Sequence, residues 1–301
     1  MATTLSINKH HNDDFNSQGF SMKKILIALV VMCSTAHAQD IVKYEFLNLD
    51  GKKETIEAEI RVPKSEPNGK AVIIMHHAGG WKQGTTTQYA DILVKNGYVT
   101  FEPRLFNSKP KLSSEYIGEV FGALKYVSNV SNIDKTQISL MGMSFGANLT
   151  IFSATEWANK KFTDGKIRFK SFVALYPVCW RHTANIKRNL KASEENSKIP
   201  DDFEDKWIGA PLKIMTGTLD DYDGKDPNAC KEFIETIPDE NQKAVTTLIQ
   251  YEGATHGWDQ PSKSFFAPTA CKNKGCTNTN TNNPAVIEKG KSDLLSFFNQ
   301  K

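Results

Sequence analysis

A repeating alternation along the chain constrains its fold most tightly. Apolar, β-rich runs at residues 71–75, 98–101, 137–141, 170–176, 212–216 and 245–251 are separated by segments with helical spacing. The runs are nearly continuous in hydrophobicity, as suits strands covered on both faces. Ile117, Val120, Phe121, Leu124 and Val127 recur at the helical period, as do Ile287, Leu294, Leu295 and Phe298 near the C-terminus. Strands and helices in alternation predict the α/β class, with a mostly parallel central sheet and helices on both faces. Ahead of them, residues 43–49 and 55–62 flank Asp50-Gly51 and predict a β-hairpin.

With 301 residues, 39% of them hydrophobic, the chain can build a substantial core. Its 37 basic and 34 acidic side chains are mixed without long runs of one sign and leave a net charge of +3. That balance speaks against a nucleic-acid partner. The long apolar stretch, residues 25–33, follows Lys23 and Lys24 and precedes Ala36-His37-Ala38. A basic start, a short apolar run and a small-residue site describe a secretory signal peptide over residues 22–38. The run is too short to span a bilayer, so no stable membrane anchor is expected. Residues 1–21 carry no structural pattern and read as a non-native or disordered extension. The expectation is export to the periplasm or the medium, with a single domain over residues 39–301.

Two segments break the alternation. Residues 181–209 are long, charged and polar and read as a cap insertion over the site; residues 268–284 are rich in Thr and Asn and read as a loop stapled by its own disulfide.

The central chemical signal is Gly142-Met143-Ser144-Phe145-Gly146, between the run at 137–141 and a helical pattern at 147–157. A nucleophilic serine on a tight strand-to-helix turn needs very small neighbours, and glycines flank it here. The helix that follows directs N–H groups at a developing oxyanion. Serine is a poor nucleophile at neutral pH and requires a base, and the base requires an acid to orient it. After residue 38 the histidines are His76, His77, His182 and His256, and His256 alone directly follows the last strand run. It is the expected base.

The acid should follow the preceding strand, where Gly217-Thr218-Leu219-Asp220-Asp221 stands. Asp220, at the fourth place of G-x-x-D, is preferred; Asp221 is the alternative, and Asp223 trails both. One oxyanion donor should be the backbone N–H of Phe145, and the second should come from His76-His77-Ala78-Gly79-Gly80, at His77 or Ala78. Adjacent histidines at a strand end point to opposite sides, so no metal site is expected there.

These residues resemble the dienelactone hydrolase family of α/β-hydrolases, over most of the chain from about Val42 to Phe298. The resemblance rests on His76 to Gly80, Gly142 to Gly146, Tyr176-Pro177-Val178-Cys179, Gly217 to Asp220 with Cys230 beyond, and Gly253 to His256. The order Ser, Asp, His along the chain is also that of α/β-hydrolases. The resemblance implies cofactor-free hydrolysis of small esters or lactones; founding members carry cysteine where this chain has Ser144. A peptidase of prolyl-oligopeptidase type and a non-catalytic binding protein that retains the fold are the alternatives. Trp81, Trp180 and Trp258 lie near the expected site as pocket or core aromatics.

Cys179, Cys230, Cys271 and Cys276 remain after residue 38, an even number that suits two disulfides in an exported chain. Cys179 and Cys230 follow neighbouring strands at the carboxyl edge and are expected to pair, leaving Cys271 for Cys276.

Overall fold

A computed structural model describes residues 38–81, 86–106 and 112–300. The expected signal peptide, save for Ala38, and residues 1–21 lie outside them. Strands β1 (Ala38–Leu47), β2 (Lys53–Val62), β3 (Ala71–Met75), β4 (Val99–Pro103), β5 (Ile138–Met143), β6 (Phe172–Leu175), β7 (Leu212–Leu219) and β8 (Thr246–Thr255) form one sheet. Their order is β1-β2-β4-β3-β5-β6-β7-β8. β2 runs antiparallel to both β1 and β4, and every pair from β4 to β8 is parallel. The turn between β1 and β2 contains Gly51 at φ 75°, a left-handed conformation that glycine adopts without strain.

The helices are α1 (Thr86–Lys95), α2 (Ile117–Val127), α3 (Phe145–Ser153), α4 (Glu156–Thr163), α5 (Cys179–Ile186), α6 (Ala192–Glu195), α7 (Ala229–Thr236), α8 (Glu240–Ala244), α9 (Ala270–Asn273) and α10 (Pro284–Phe298). The sheet separates two apolar cores, and β3 shows how its alternation feeds both. Ala71, Ile73 and Met75 join Ile117, Val120 and Leu124 of α2 and Leu149 of α3. Val72 and Ile74 join Tyr89 and Leu93 of α1 and Leu294 and Phe298 of α10. The chain leaves β3 for β4 on one side and returns to β5 on the other. That reversal opens a crevice at the carboxyl ends of β3 and β5.

The helical pattern at 147–157 is two helices. It breaks at Ala154-Thr155, and the Thr155 hydroxyl accepts the Ala158 N–H at 3.3 Å to cap α4. Within residues 181–209, Ile199, Phe203, Glu204 and Trp207 are buried. Phe203 packs its ring against Phe152 and Trp157, with centroids at 5.2 and 5.8 Å. Residues 268–284 carry α9 and β10 (Cys276–Asn280), which pairs antiparallel with β9 (Lys263–Ala267) in a separate hairpin.

Candidate active site

Ser144 is the residue between β5 and α3, at φ 51° and ψ −110°, a strained conformation for a side chain with a Cβ. The two glycines around it answer to contact. A Cβ on Gly142 would lie 2.1 Å from the Gly146 carbonyl oxygen, and one on Gly146 would lie 2.2 Å from that of Met75. The turn is therefore closed to any larger residue at either position.

Asp220 and His256 come off the ends of β7 and β8, which pair through Leu219 and Thr255. A bulge near Gly217 adjusts this register, and a Cβ there would meet the Ala254 carbonyl oxygen at 2.2 Å. Ser144 Oγ lies 2.7 Å from His256 Nε2, and His256 Nδ1 lies 2.8 Å from Asp220 Oδ2. With the carboxylate at Nδ1, that nitrogen carries the hydrogen and donates it, which leaves Nε2 to accept from the serine hydroxyl. Tyr222 and Tyr176 hold the imidazole between their rings, with centroids at 4.3 and 5.0 Å.

The neighbouring carboxylates do other things. Asp221 Oδ2 accepts the Thr279 N–H at 2.8 Å. Asp223 accepts the N–H groups of Cys179 and Trp180 at the start of α5, at 3.2 and 2.9 Å. Burial, and then the charge of Asp220, push the Asp223 carboxyl well above the usual carboxylate range. Asp259, three residues past His256, is also buried and accepts both the Tyr89 and Tyr176 hydroxyls at 2.8 Å. Desolvation raises its pKa, against those hydrogen bonds.

The loop after β3 is held by its histidines. His76 Nε2 accepts the Leu105 N–H at 3.1 Å, so its hydrogen is on Nδ1, which donates to the His77 carbonyl at 2.7 Å. Burial pushes the His76 pKa down to about 4. His77 Nδ1 accepts the Gly79 N–H at 2.8 Å, which turns the chain so that Ala78 faces the crevice.

A cavity of about 230 Å³ opens beside Ser144, with Ala78, Phe145, Asn148, Trp180, Arg181 and Tyr222 among its lining residues. Among the described residues of 181–209, only Arg181 lines it. Thr269 and Asn273, next to the hairpin, complete one wall. Of the three tryptophans, Trp180 lines the cavity and Trp258 is core, packed on Tyr176 and Tyr251. Trp81 lies under the Arg104 guanidinium at 3.8 Å.

Disulfides join Cys179 to Cys230 and Cys271 to Cys276. Among the described residues, Cys179, Cys230 and Asp223 form a group of three potential metal donors. Bonded to each other, the two sulfurs are not thiolates, and the group offers a metal only a carboxylate.

Residues 58–220 match the family model described as BD-FAE. The chain belongs to the BD-FAE family. This is an esterase family of α/β-hydrolase type, in keeping with the likeness to dienelactone hydrolases carried by the motifs. Among curated proteins, an uncharacterised Escherichia coli (strain K12) protein, YcjY, is 28% identical over 129 residues. That match covers 38% of this chain and 41% of YcjY, so the chain spans about two fifths of this relative's length. Among solved structures, an esterase from Pyrococcus furiosus superposes with a TM-score of 0.56 at 16% identity, covering 87% of this chain and 91% of the esterase. A Klebsiella pneumoniae protein proposed to be a dienelactone hydrolase gives 0.54 at 16% identity, with 87% and 100% covered. Thermogutta terrifontis esterase 2, phosphoramylated by tabun, gives 0.56 at 15% identity, with 85% and 93% covered. At such identities these structures share the α/β-hydrolase fold with the chain.

Asn148 and its contacts, and the packing of Tyr176 and Tyr222 on His256, were outside the sequence-based expectations, although Tyr176 belongs to a quoted motif. Tyr222 stands two places beyond Asp220 and was within reach of a motif reading; the others meet the site only through long-range packing.

Proposed function

We propose that the protein is an exported serine hydrolase that cleaves carboxylic esters or lactones through an acyl-enzyme, with Ser144 as nucleophile, His256 as base and Asp220 as its orienting acid. One observation carries this reading: a strained serine at a strand-to-helix turn is hydrogen-bonded to a histidine that is itself hydrogen-bonded to a buried carboxylate, at the mouth of a cavity. Ser144 Oγ adds to the ester carbonyl carbon while its proton passes to His256 Nε2. The bond to the alcohol oxygen then breaks, and His256 returns the proton to the leaving alkoxide. Water repeats the cycle: it gives a proton to His256, its oxygen adds to the acyl carbon, and Ser144 leaves with that proton as the acid departs. Asp220 stays ionised and stabilises the imidazolium at each stage.

The oxyanion is received by the Phe145 N–H and by an N–H of the loop after β3. Ala78 lines the cavity, which favours its N–H over that of His77. The expected signal peptide and the two disulfides support export. Residues 181–209 contribute Arg181 to the cavity wall and in this reading are a partial cap. Founding dienelactone hydrolases differ at the nucleophile, and the serine here favours simple esters.

The test is a panel of p-nitrophenyl esters, lactones and aminoacyl-anilides assayed on the protein and on Ser144→Ala. The expected outcome is hydrolysis of short-chain aryl esters and a fall of roughly 10³-fold or more in the alanine variant. Unchanged turnover overturns the role of Ser144, and anilide turnover above ester turnover overturns the substrate class.

A further inference from the structure

Asn148 sits one helical turn after Ser144 on α3, is buried, and lines the cavity. Its Oδ1 accepts the Val178 backbone N–H at 2.9 Å. A backbone N–H can only donate, so this contact decides which way the amide faces. The same oxygen lies 3.2 Å from His182 Nε2, which packs behind the amide. His182 is fully buried, and its Nδ1 shares a hydrogen bond of 2.6 Å with the equally buried Glu204. Glu204 is fixed in turn by Asn185 Nδ2, at 2.8 Å from its second oxygen. Phe152 and Phe233 close over the imidazole, with ring centroids at 4.9 and 5.0 Å.

Rotation of the Asn148 amide would set its NH₂ group against the Val178 N–H, so its orientation is fixed from behind. Among the described residues the Nδ2 hydrogens have no protein acceptor, on a residue that lines the cavity. A second donor stands beside it: Trp180 lines the cavity, and among the described residues its buried indole N–H has no hydrogen-bond partner. Burying a donor without an acceptor carries a desolvation penalty, which a complementary ligand atom removes. An amide held by a buried histidine and glutamate is built to present those hydrogens in one direction.

We infer that Asn148 is a specificity-determining residue whose Nδ2 donates to an acceptor oxygen of the substrate, near the scissile carbonyl. The preferred substrates are esters with an ether, hydroxyl or carbonyl oxygen in that place, rather than plain alkyl esters. The Asn148 backbone N–H donates to the Ser144 carbonyl at 3.0 Å, and both residues line the same cavity. The acceptor thus lies close to the carbonyl that Ser144 attacks. The inference rests on the reading of Ser144 as the nucleophile.

Two isosteric ester pairs test it: p-nitrophenyl methoxyacetate against butyrate, with the acceptor in the acyl group, and 2-methoxyethyl against butyl acetate, with it in the alcohol. The variant Asn148→Asp keeps an oxygen for Val178 and His182 and replaces the donor by an acceptor; Asn148→Ser is a second variant should the first not fold. The readout is the ratio of kcat/KM within each pair, and the ratio of Kd within each pair on Ser144→Ala protein, where intrinsic ester reactivity does not enter. Loss of the donor is expected to lower the preference for the oxygen-bearing ester by about 3- to 10-fold in at least one pair. Unchanged ratios in both pairs overturn the inference, whatever the turnover. A change in the Kd ratio in a protein whose Ser144 hydrolyses neither ester supports the inference and overturns the hydrolase reading instead.

Discussion

The side chain of Asp221 accepts the backbone N–H of Thr279 at 2.8 Å, which ties the loop after β7 to strand β10. The carbonyl of Asp221 also accepts the Cys271 N–H at 2.9 Å, while Asp220 faces His256. Two adjacent carboxylates therefore have separable tasks. Asp220→Asn should preserve the fold and lower kcat by roughly 10³- to 10⁴-fold, through the wrong histidine tautomer and an unstabilised imidazolium. Asp221→Asn should lower thermal stability and leave kcat within a few fold. Ester kinetics and melting curves on both variants check this; a larger kcat loss at Asp221 reverses the assignment.

The disulfides should differ in the quantity they support. Cys179–Cys230 spans 51 positions and by loop-closure entropy contributes about 4 kcal/mol. Cys271–Cys276 spans 5 and contributes about 2 kcal/mol. The shorter cross-link sits between Thr269 and the hairpin and holds Asn273 at the cavity wall. Paired Cys→Ala replacement at 179 and 230 should give the larger drop in denaturation free energy, and replacement at 271 and 276 the larger rise in KM.

His76 should make the protein acid-sensitive. Its pKa of about 4 is below the ordinary 6.5, so between these values the unfolded chain binds a proton that the folded chain does not. Its contribution is complete above pH 6.5 and is lost as the pH falls toward 4, by roughly 3 kcal/mol. His76→Gln, whose amide oxygen is able to accept the Leu105 N–H, should flatten this part of the stability profile. Urea denaturation at pH 7 and pH 4.5 measures the difference.

Glu102 works in the other direction. Burial beside Glu59 and Arg61 on the sheet pushes its pKa up to about 7, against the attraction of Arg61. The folded chain holds the proton more tightly, so stability falls as the pH rises from about 4.5 through 7, by roughly 3 kcal/mol. Glu102→Gln should melt at a higher temperature than the unaltered protein at pH 8, with the gap closing by pH 5.

Much of the sheet was legible because each central strand is buried on both faces and writes an unbroken apolar run, as at Ala71–Met75. Ser144, Asp220 and His256 were legible because each follows such a run directly. Other features left no local trace. The segment from Ala147 to Trp157 keeps a helical pattern throughout, and one threonine hydroxyl at 155 caps a second helix within it. Strand β10 buries Asn278 and Asn280 instead of apolar side chains, so it has no period to detect. Asn148, His182 and Glu204 meet through contacts 34 and 22 positions apart, and no spacing rule connects them.

The order of strands in the sheet also sets an order in time. As the chain is made, β5 and its serine come first, β7 with Asp220 later, and β8 with His256 last of the three. A chain made only as far as β7 holds Ser144 and Asp220 without the imidazole that joins them, and one that stops before β8 cannot assemble the hydrogen bonds from Ser144 through His256 to Asp220. In the reading proposed above, hydrolytic activity is therefore withheld until β8 and the residue that follows it have been made.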